Sequence, residues 1–185
     1  MKEIVGILLA AGSSRRFGAD KRLHPLTDGT PMALASARHL AAACQRSIVV
    51  IRPGDEVLAG LLAAEGLETL VCDAAEQGMG HSLSCGVAAS AEAAGWLIAL
   101  ADMPYIQATS YRAVLQALQG GARMARPVFA GEMGHPVGFG AACREALLAL
   151  IGDRGGKSII DAHPEQLQRC PLTDAGVLQD VDRPS

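Results

Sequence analysis

Three apolar runs restrict the fold of this chain most: Ile4-Val5-Gly6-Ile7-Leu8-Leu9, Ser47-Ile48-Val49-Val50-Ile51 and Trp96-Leu97-Ile98-Ala99-Leu100. None alternates with polar residues, which is the pattern of strands covered on both faces. A shorter run, Glu68-Thr69-Leu70-Val71-Cys72, reads as a further strand. Between them lie segments of helical spacing at residues 31–44, 56–65 and about 81–93, with another at 109–119. Pro31 suits a first helical turn, Gly66 closes the second helix, and Gly120-Gly121 stop the fourth. A βαβαβαβ order predicts a three-layer α/β/α, Rossmann-like domain with a mostly parallel central sheet and helices on both faces. Beyond it, residues 124–139 read as extended with a turn near 131–134. Helices are expected at 141–151 and 157–162, and a last strand at 177–181.

The chain has 185 residues, enough for one domain burying about 70 % of its unfolded surface. Half its residues are hydrophobic but only 3 % are aromatic, so the core must be aliphatic. Scarce aromatics and a net charge of −3 argue against a nucleic-acid-binding face. No stretch approaches eighteen consecutive apolar residues, and no basic-then-apolar leader opens the chain, so a soluble, cytoplasmic protein is expected. Five widely spaced cysteines without a C-x-x-C pair read as small core residues of a reduced compartment. The histidines lack ligand spacing, which argues against a structural zinc site.

Leu9-Ala10-Ala11-Gly12-Ser13-Ser14-Arg15-Arg16-Phe17-Gly18, with Lys21, follows the first strand directly. Small residues let a backbone approach a ligand closely, and successive free N–H groups form an anion-binding nest. Arg15, Arg16 and Lys21 concentrate positive charge there, in keeping with a polyanionic small molecule. Neither G-x-G-x-x-G nor G-x-x-x-x-G-K-[ST] is present, so an ordinary strand-to-helix turn stays open as the alternative.

Ligands of parallel sheets bind at the carboxyl ends of the strands, and other segments fall there too. Gln77-Gly78-Met79-Gly80-His81-Ser82 offers backbone amides at a helix start. Asp102 follows the fourth strand, where it could ligate Mg²⁺ beside substrate phosphate oxygens or serve as a helix N-cap. Asp180-Val181-Asp182 adds two carboxylates that would face opposite ways in a strand. His135 beside Pro136 is either a solvated loop residue or a contact for an acceptor substrate. Gly152-Asp153-Arg154-Gly155-Gly156-Lys157-Ser158 lacks phosphate-loop spacing, but Arg154 and Lys157 can reach an anion.

Taken in order, these segments resemble the molybdenum cofactor cytidylyltransferases, within the nucleotide-diphospho-sugar transferase superfamily. The matching stretches are Leu8 to Gly18 with Lys21, Gly78-Met79 with Ser82-Leu83, Leu100-Ala101-Asp102-Met103-Pro104, Gly134-His135-Pro136-Val137, Gly152-Asp153-Arg154-Gly155 and Asp180-Val181-Asp182. Phe17 stands where that family usually has methionine, Lys157 where it has arginine, and Arg183 where it has threonine. The resemblance implies a nucleotidyltransferase fold over residues 1–185, with 1–105 the nucleotide-binding half and 106–185 the acceptor-binding half. It implies Mg²⁺-dependent transfer of CMP from CTP to the phosphate of molybdopterin bearing molybdenum, with release of pyrophosphate. Leu9, Ala10, Ala11, Gly12, Ser13, Ser14, Arg15 and Lys21, with Gly78, Met79 and Ser82, would bind the nucleotide. Arg15, Lys21 and Asp102 would act in catalysis, Asp102 and Asp182 would hold Mg²⁺, and His135, Pro136, Arg154 and Lys157 would face the acceptor. The implied partners are these small molecules and a molybdenum hydroxylase or its chaperone, with neither nucleic acid nor membrane. Ala10-Ala11-Gly12 favours CTP over GTP, whose enzymes usually carry Ala-Gly-Gly. Two alternatives stay open: a related transferase using GTP or a sugar phosphate, and a non-catalytic carrier or chaperone of the cofactor.

Overall fold

The computed structural model describes residues 2–13 and 17–182. Strands β1 (Ile4–Leu9), β2 (Arg46–Ile51), β3 (Glu68–Val71) and β4 (Gly95–Leu100) run parallel in the order β3-β2-β1-β4. Helices α1 (Met32–Ala43), α2 (Glu56–Ala63), α3 (Met79–Ala88) and α4 (Ala108–Gln119) supply the crossovers and the exit from β4. Because side chains alternate across a strand, the unbroken apolar runs feed two cores. Leu8, Val49, Ile51 and Leu97 pack with Leu34, Leu40, Leu62 and Tyr111, contributed by α1, α2 and α4. Val5, Ile7, Val50 and Trp96 pack on the other face with Leu83 and Val87 of α3. The expected three-layer α/β/α architecture is present.

β5 (Met124–Phe129), β6 (Glu132–Met133) and β7 (Val137–Gly140) extend the sheet in the order β4-β7-β5, with β7 antiparallel to both neighbours. The helix expected over 141–151 is shorter: a 3-10 turn at Ala141–Cys143 leads into α5 (Arg144–Leu148). α6 (Lys157–Ala162) lies where it was expected. The last strand does not. Residues 177–181 form no strand; Ala175–Leu178 is a 3-10 turn capped by Asp174, whose Oδ1 accepts the Gly176 N–H at 2.8 Å. The final strand is instead β8 (Leu167–Pro171), parallel to β5. Its polar Gln168 and Arg169 are exposed, as suits an edge strand, and this hid it in a search for apolar runs.

Without a strand the tail still reaches the carboxyl end of β4. Val177 is fully buried and its carbonyl accepts the His135 N–H at 2.9 Å; farther on, the Val181 N–H donates to the Asp102 carbonyl at 2.8 Å. The cysteines are free thiols, with Cys44, Cys72, Cys143 and Cys170 buried. Among the described residues no helix is long and apolar enough to cross a membrane.

Candidate active site

A cleft of about 800 Å³ opens where β1 and β4 end side by side. Their register pairs Leu9 with Leu100, after which both chains leave the sheet. Ala10, Ala11, Gly12 and Ser13 form one wall of the cleft, and Leu100, Ala101 and Asp102 another. Ser14, Arg15 and Arg16 lie outside the described residues. Lys21, which begins a short 3-10 turn, places its Nζ 3.0 Å from Asp102 Oδ2 and 3.4 Å from the Val181 carbonyl. Lysine and carboxylate are both partly buried.

Asp102 does not cap a helix. The residue before α4 is Gln107, and its N–H is accepted at 2.8 Å by Asp174, which also accepts the Ser110 hydroxyl at 2.7 Å. Asp174 therefore performs the capping role that aspartate at position 102 could have had, and Asp102 keeps its side chain toward the cleft.

The anchor of this wall is Arg22, which sequence reasoning missed. It is buried and grips Asp55 through two guanidinium nitrogens (2.6 and 2.8 Å) and Asp20 through two more contacts (2.9 and 2.8 Å). It also donates to the Ala10 carbonyl at 2.6 Å, tying the lysine turn to the end of β1. Burial opposes its charge, but the carboxylates of Asp55 and Asp20 outweigh that and hold its pKa above the ordinary value. The guanidinium in turn holds both carboxyls below theirs. Nothing in its spacing sets Arg22 apart from the neighbouring Arg15 and Arg16 in the sequence.

Gly78, Met79 and Ser82 line the same cleft from the start of α3. Gly78 adopts φ +126°, and a Cβ there would lie 2.3 Å from the Gly152 carbonyl carbon, so only glycine fits. That contact joins two segments which the sequence treats separately. The Gly80 N–H donates to the Gly152 carbonyl at 2.8 Å, and the Gly152 N–H donates to His81 Nδ1 at 2.9 Å.

A second pocket of about 260 Å³ adjoins the cleft and shares Leu9, Met79, Leu100 and Asp153 with it. His135 and Lys157 line it, as does Arg126, whose Nε donates to the Gly134 carbonyl at 3.0 Å. Burial first, then the charge of Arg126, pushes the His135 pKa down to about 4, so the imidazole is neutral near pH 7. Burial also lowers the Arg126 pKa. Lys157 is exposed and bonds Asp161 at 2.7 Å. Pro136 is buried next to His135, and Arg154 is exposed and lines neither pocket. Asp182 is exposed and lines a separate hollow of about 490 Å³ with Tyr105, His24 and Val181. Arg126 was legible as a cation inside an extended apolar run, and Asp153 as the carboxylate of a glycine-rich loop. Neither had been assigned to a site.

The fold is shared with solved structures. Rv0371c from Mycobacterium tuberculosis H37Rv superposes with a TM-score of 0.85 at 24 % identity, covering 98 % of this chain and 94 % of that one. Its manganese complex superposes at 0.77 with 21 % identity, covering 96 % and 94 %. In sequence, the chain is 30 % identical to the purine catabolism protein PucB of Bacillus subtilis over 98 % of this chain and 92 % of PucB. It is 26 % identical to the nicotine blue oxidoreductase of Paenarthrobacter nicotinovorans over 97 % and 92 %. Residues 6–167 match a single family throughout, a stretch that contains the β1 loop, Lys21, Asp102 and both walls of the second pocket. The chain thus belongs to the MobA-like NTP transferase domain family, nucleotidyltransferases of the kind that its motifs resemble.

Proposed function

We propose that the protein transfers a cytidylyl group from CTP to the phosphate of molybdopterin bearing molybdenum, releasing pyrophosphate. The observation that carries this reading is the Lys21–Asp102 pair, set at the mouth of a glycine-lined cleft that adjoins a smaller pocket with its own cations. Two anions must meet in such a reaction, so the site has to neutralise charge and align the acceptor phosphate opposite the leaving group. Backbone amides around Gly12, with Lys21 and Arg15, would hold the triphosphate. Gly78, Met79 and Ser82 would contact the base, with Leu9, Ala10, Ala11, Ser13 and Ser14 shaping the wall. Residues 1–105 thus form most of the nucleotide side, and residues 106–185 supply the acceptor side.

Asp102 fits Mg²⁺. It is a hard oxygen donor lining the cleft. Mg²⁺ suits that arrangement, since it takes one or two carboxylates and completes its shell with phosphate oxygens and water. The manganese complex of Rv0371c is in keeping with a divalent ion. Asp182, one residue beyond the Val181 carbonyl that meets Lys21 Nζ, would have to turn out of its own hollow to contribute the second carboxylate. When bound, the ion would neutralise charge on the phosphates. Lys21 holds the Asp102 carboxylate in place and presents its ammonium to the same space. Neutral His135 offers hydrogen bonds without adding charge, while Arg126 and Lys157 balance an anionic acceptor, with Pro136 and Arg154 flanking them. No protein nucleophile is required, because a phosphate monoester is already ionised near neutral pH.

Incubation with Mg²⁺, molybdenum cofactor and one nucleotide at a time tests the reading through pyrophosphate release. Release with CTP is the expected result. Release with GTP alone, or with a sugar phosphate as acceptor, assigns the runner-up transferase. No release with any nucleotide leaves a carrier or chaperone of the cofactor, a role that would not need the Lys21–Asp102 pair.

A further inference from the structure

We infer that His81 is a positioning residue that couples the two pockets, so that a nucleotide in the large cleft orders the loop on the acceptor side. The inference rests on the reading of the large cleft as a nucleotide site. Both main-chain hydrogen-bonding groups of Gly152 are committed to the first turn of α3: its carbonyl accepts from the Gly80 N–H at 2.8 Å, and its N–H donates to His81 Nδ1 at 2.9 Å. The two backbones also touch with no slack. A Cβ on Gly78 would lie 2.4 Å from the Gly152 carbonyl oxygen, and one on Gly80 would lie 2.4 Å from the Arg154 carbonyl oxygen.

The clasp sits between the pockets. Met79 and Asp153, which flank its two halves, each line both cavities. On the acceptor side the chain continues through Gly155 and Gly156 to Lys157, all lining the second pocket. A shift of the Gly78–His81 turn toward a bound nucleotide must therefore carry Gly152 with it. Such coupling is reciprocal in binding free energy. Without His81, the Gly152 N–H loses its partner in α3, and the bond from the Gly80 N–H to the Gly152 carbonyl remains. Asparagine can present an oxygen acceptor near the position of Nδ1, so His81→Asn is expected to keep the coupling and His81→Ala to lose it.

Hydrogen–deuterium exchange on the full chain tests this, with Mg²⁺ and saturating CTP, GTP, ATP or UTP in turn. The readout is the change in exchange that a nucleotide causes, which a purely structural role of His81 would leave intact. In wild type and His81→Ala alike, the bound nucleotide is expected to slow exchange in residues 78–82. In wild type and His81→Asn it is expected to slow residues 152–156 at least about threefold as well. In His81→Ala that second protection is expected to vanish. Equal transferred protection in His81→Ala, or none in wild type while residues 78–82 are protected, overturns the coupling. If no nucleotide protects residues 78–82, the nucleotide-site reading itself fails, and the coupling falls with it.

Discussion

Lys21 and Asp102 are far apart in sequence and 3.0 Å apart in space, and they make sharply different predictions from a merely structural ion pair. Asp102→Ala is expected to lower metal-dependent turnover at least about 100-fold while changing folding stability by less than about 1 kcal/mol, since Asp174 and not Asp102 caps α4. Steady-state kinetics beside urea unfolding separate the two effects. Lys21→Ala is expected to reduce kcat by about 100-fold or more and to leave cytidine binding nearly unchanged, because in the proposed reaction the ammonium meets the triphosphate and not the base. Equal turnover in mutant and wild type would remove Lys21 from the chemistry. At this scale Lys21 and Asp102 were legible as charges placed at strand ends. Arg22 was not, because its role depends on Asp55, which only the fold brings to it.

The Lys21–Leu23 turn, the end of β1 and the start of α2 are held together by Arg22, Asp20 and Asp55. Asp55→Ala is expected to destabilise the fold by about 3 kcal/mol, because it leaves a buried guanidinium with Asp20 and the Ala10 carbonyl as partners and removes its second carboxylate. Both carboxyls have pKa values below 3.8 in the folded chain, so their stabilising effect is complete above that value and lost as pH falls through the lowered values. His135 acts in a separate window. Its folded pKa of about 4 lies below the ordinary 6.5, so protons favour the unfolded chain and stability declines as pH falls from 6.5 toward 4. Urea midpoints between pH 7 and pH 4 are expected to fall in wild type and to flatten over that range in His135→Gln. The parallel half of the sheet was legible from β1, β2 and β4, whose apolar runs meet two cores. β8 and the tail were not: the former is polar on its exposed side, and Val177 signals a strand but fills a buried site against β5.

Across the whole molecule, the sheet changes from parallel strands to the antiparallel β7 where the two pockets meet. β1, β4 and α3 line both pockets, and β5, β7 and the loop before α6 complete the small one. That the first and fourth strands end side by side at one cleft was legible in the order of the motifs. The contact between residues 78–81 and 152–154 was not, since a hydrogen bond to His81 Nδ1 leaves no mark on spacing or hydropathy. The most direct test of nucleotidyl transfer between the two pockets is a competition. Purified protein is given Mg²⁺, molybdenum cofactor and equimolar ATP, CTP, GTP and UTP, and the products are identified by mass spectrometry. The expected product is the cofactor extended by one CMP, formed by wild type and reduced at least about 100-fold in Asp102→Ala. An unmodified cofactor with all four nucleotides intact, or equal product from Asp102→Ala, would contradict transfer at this site.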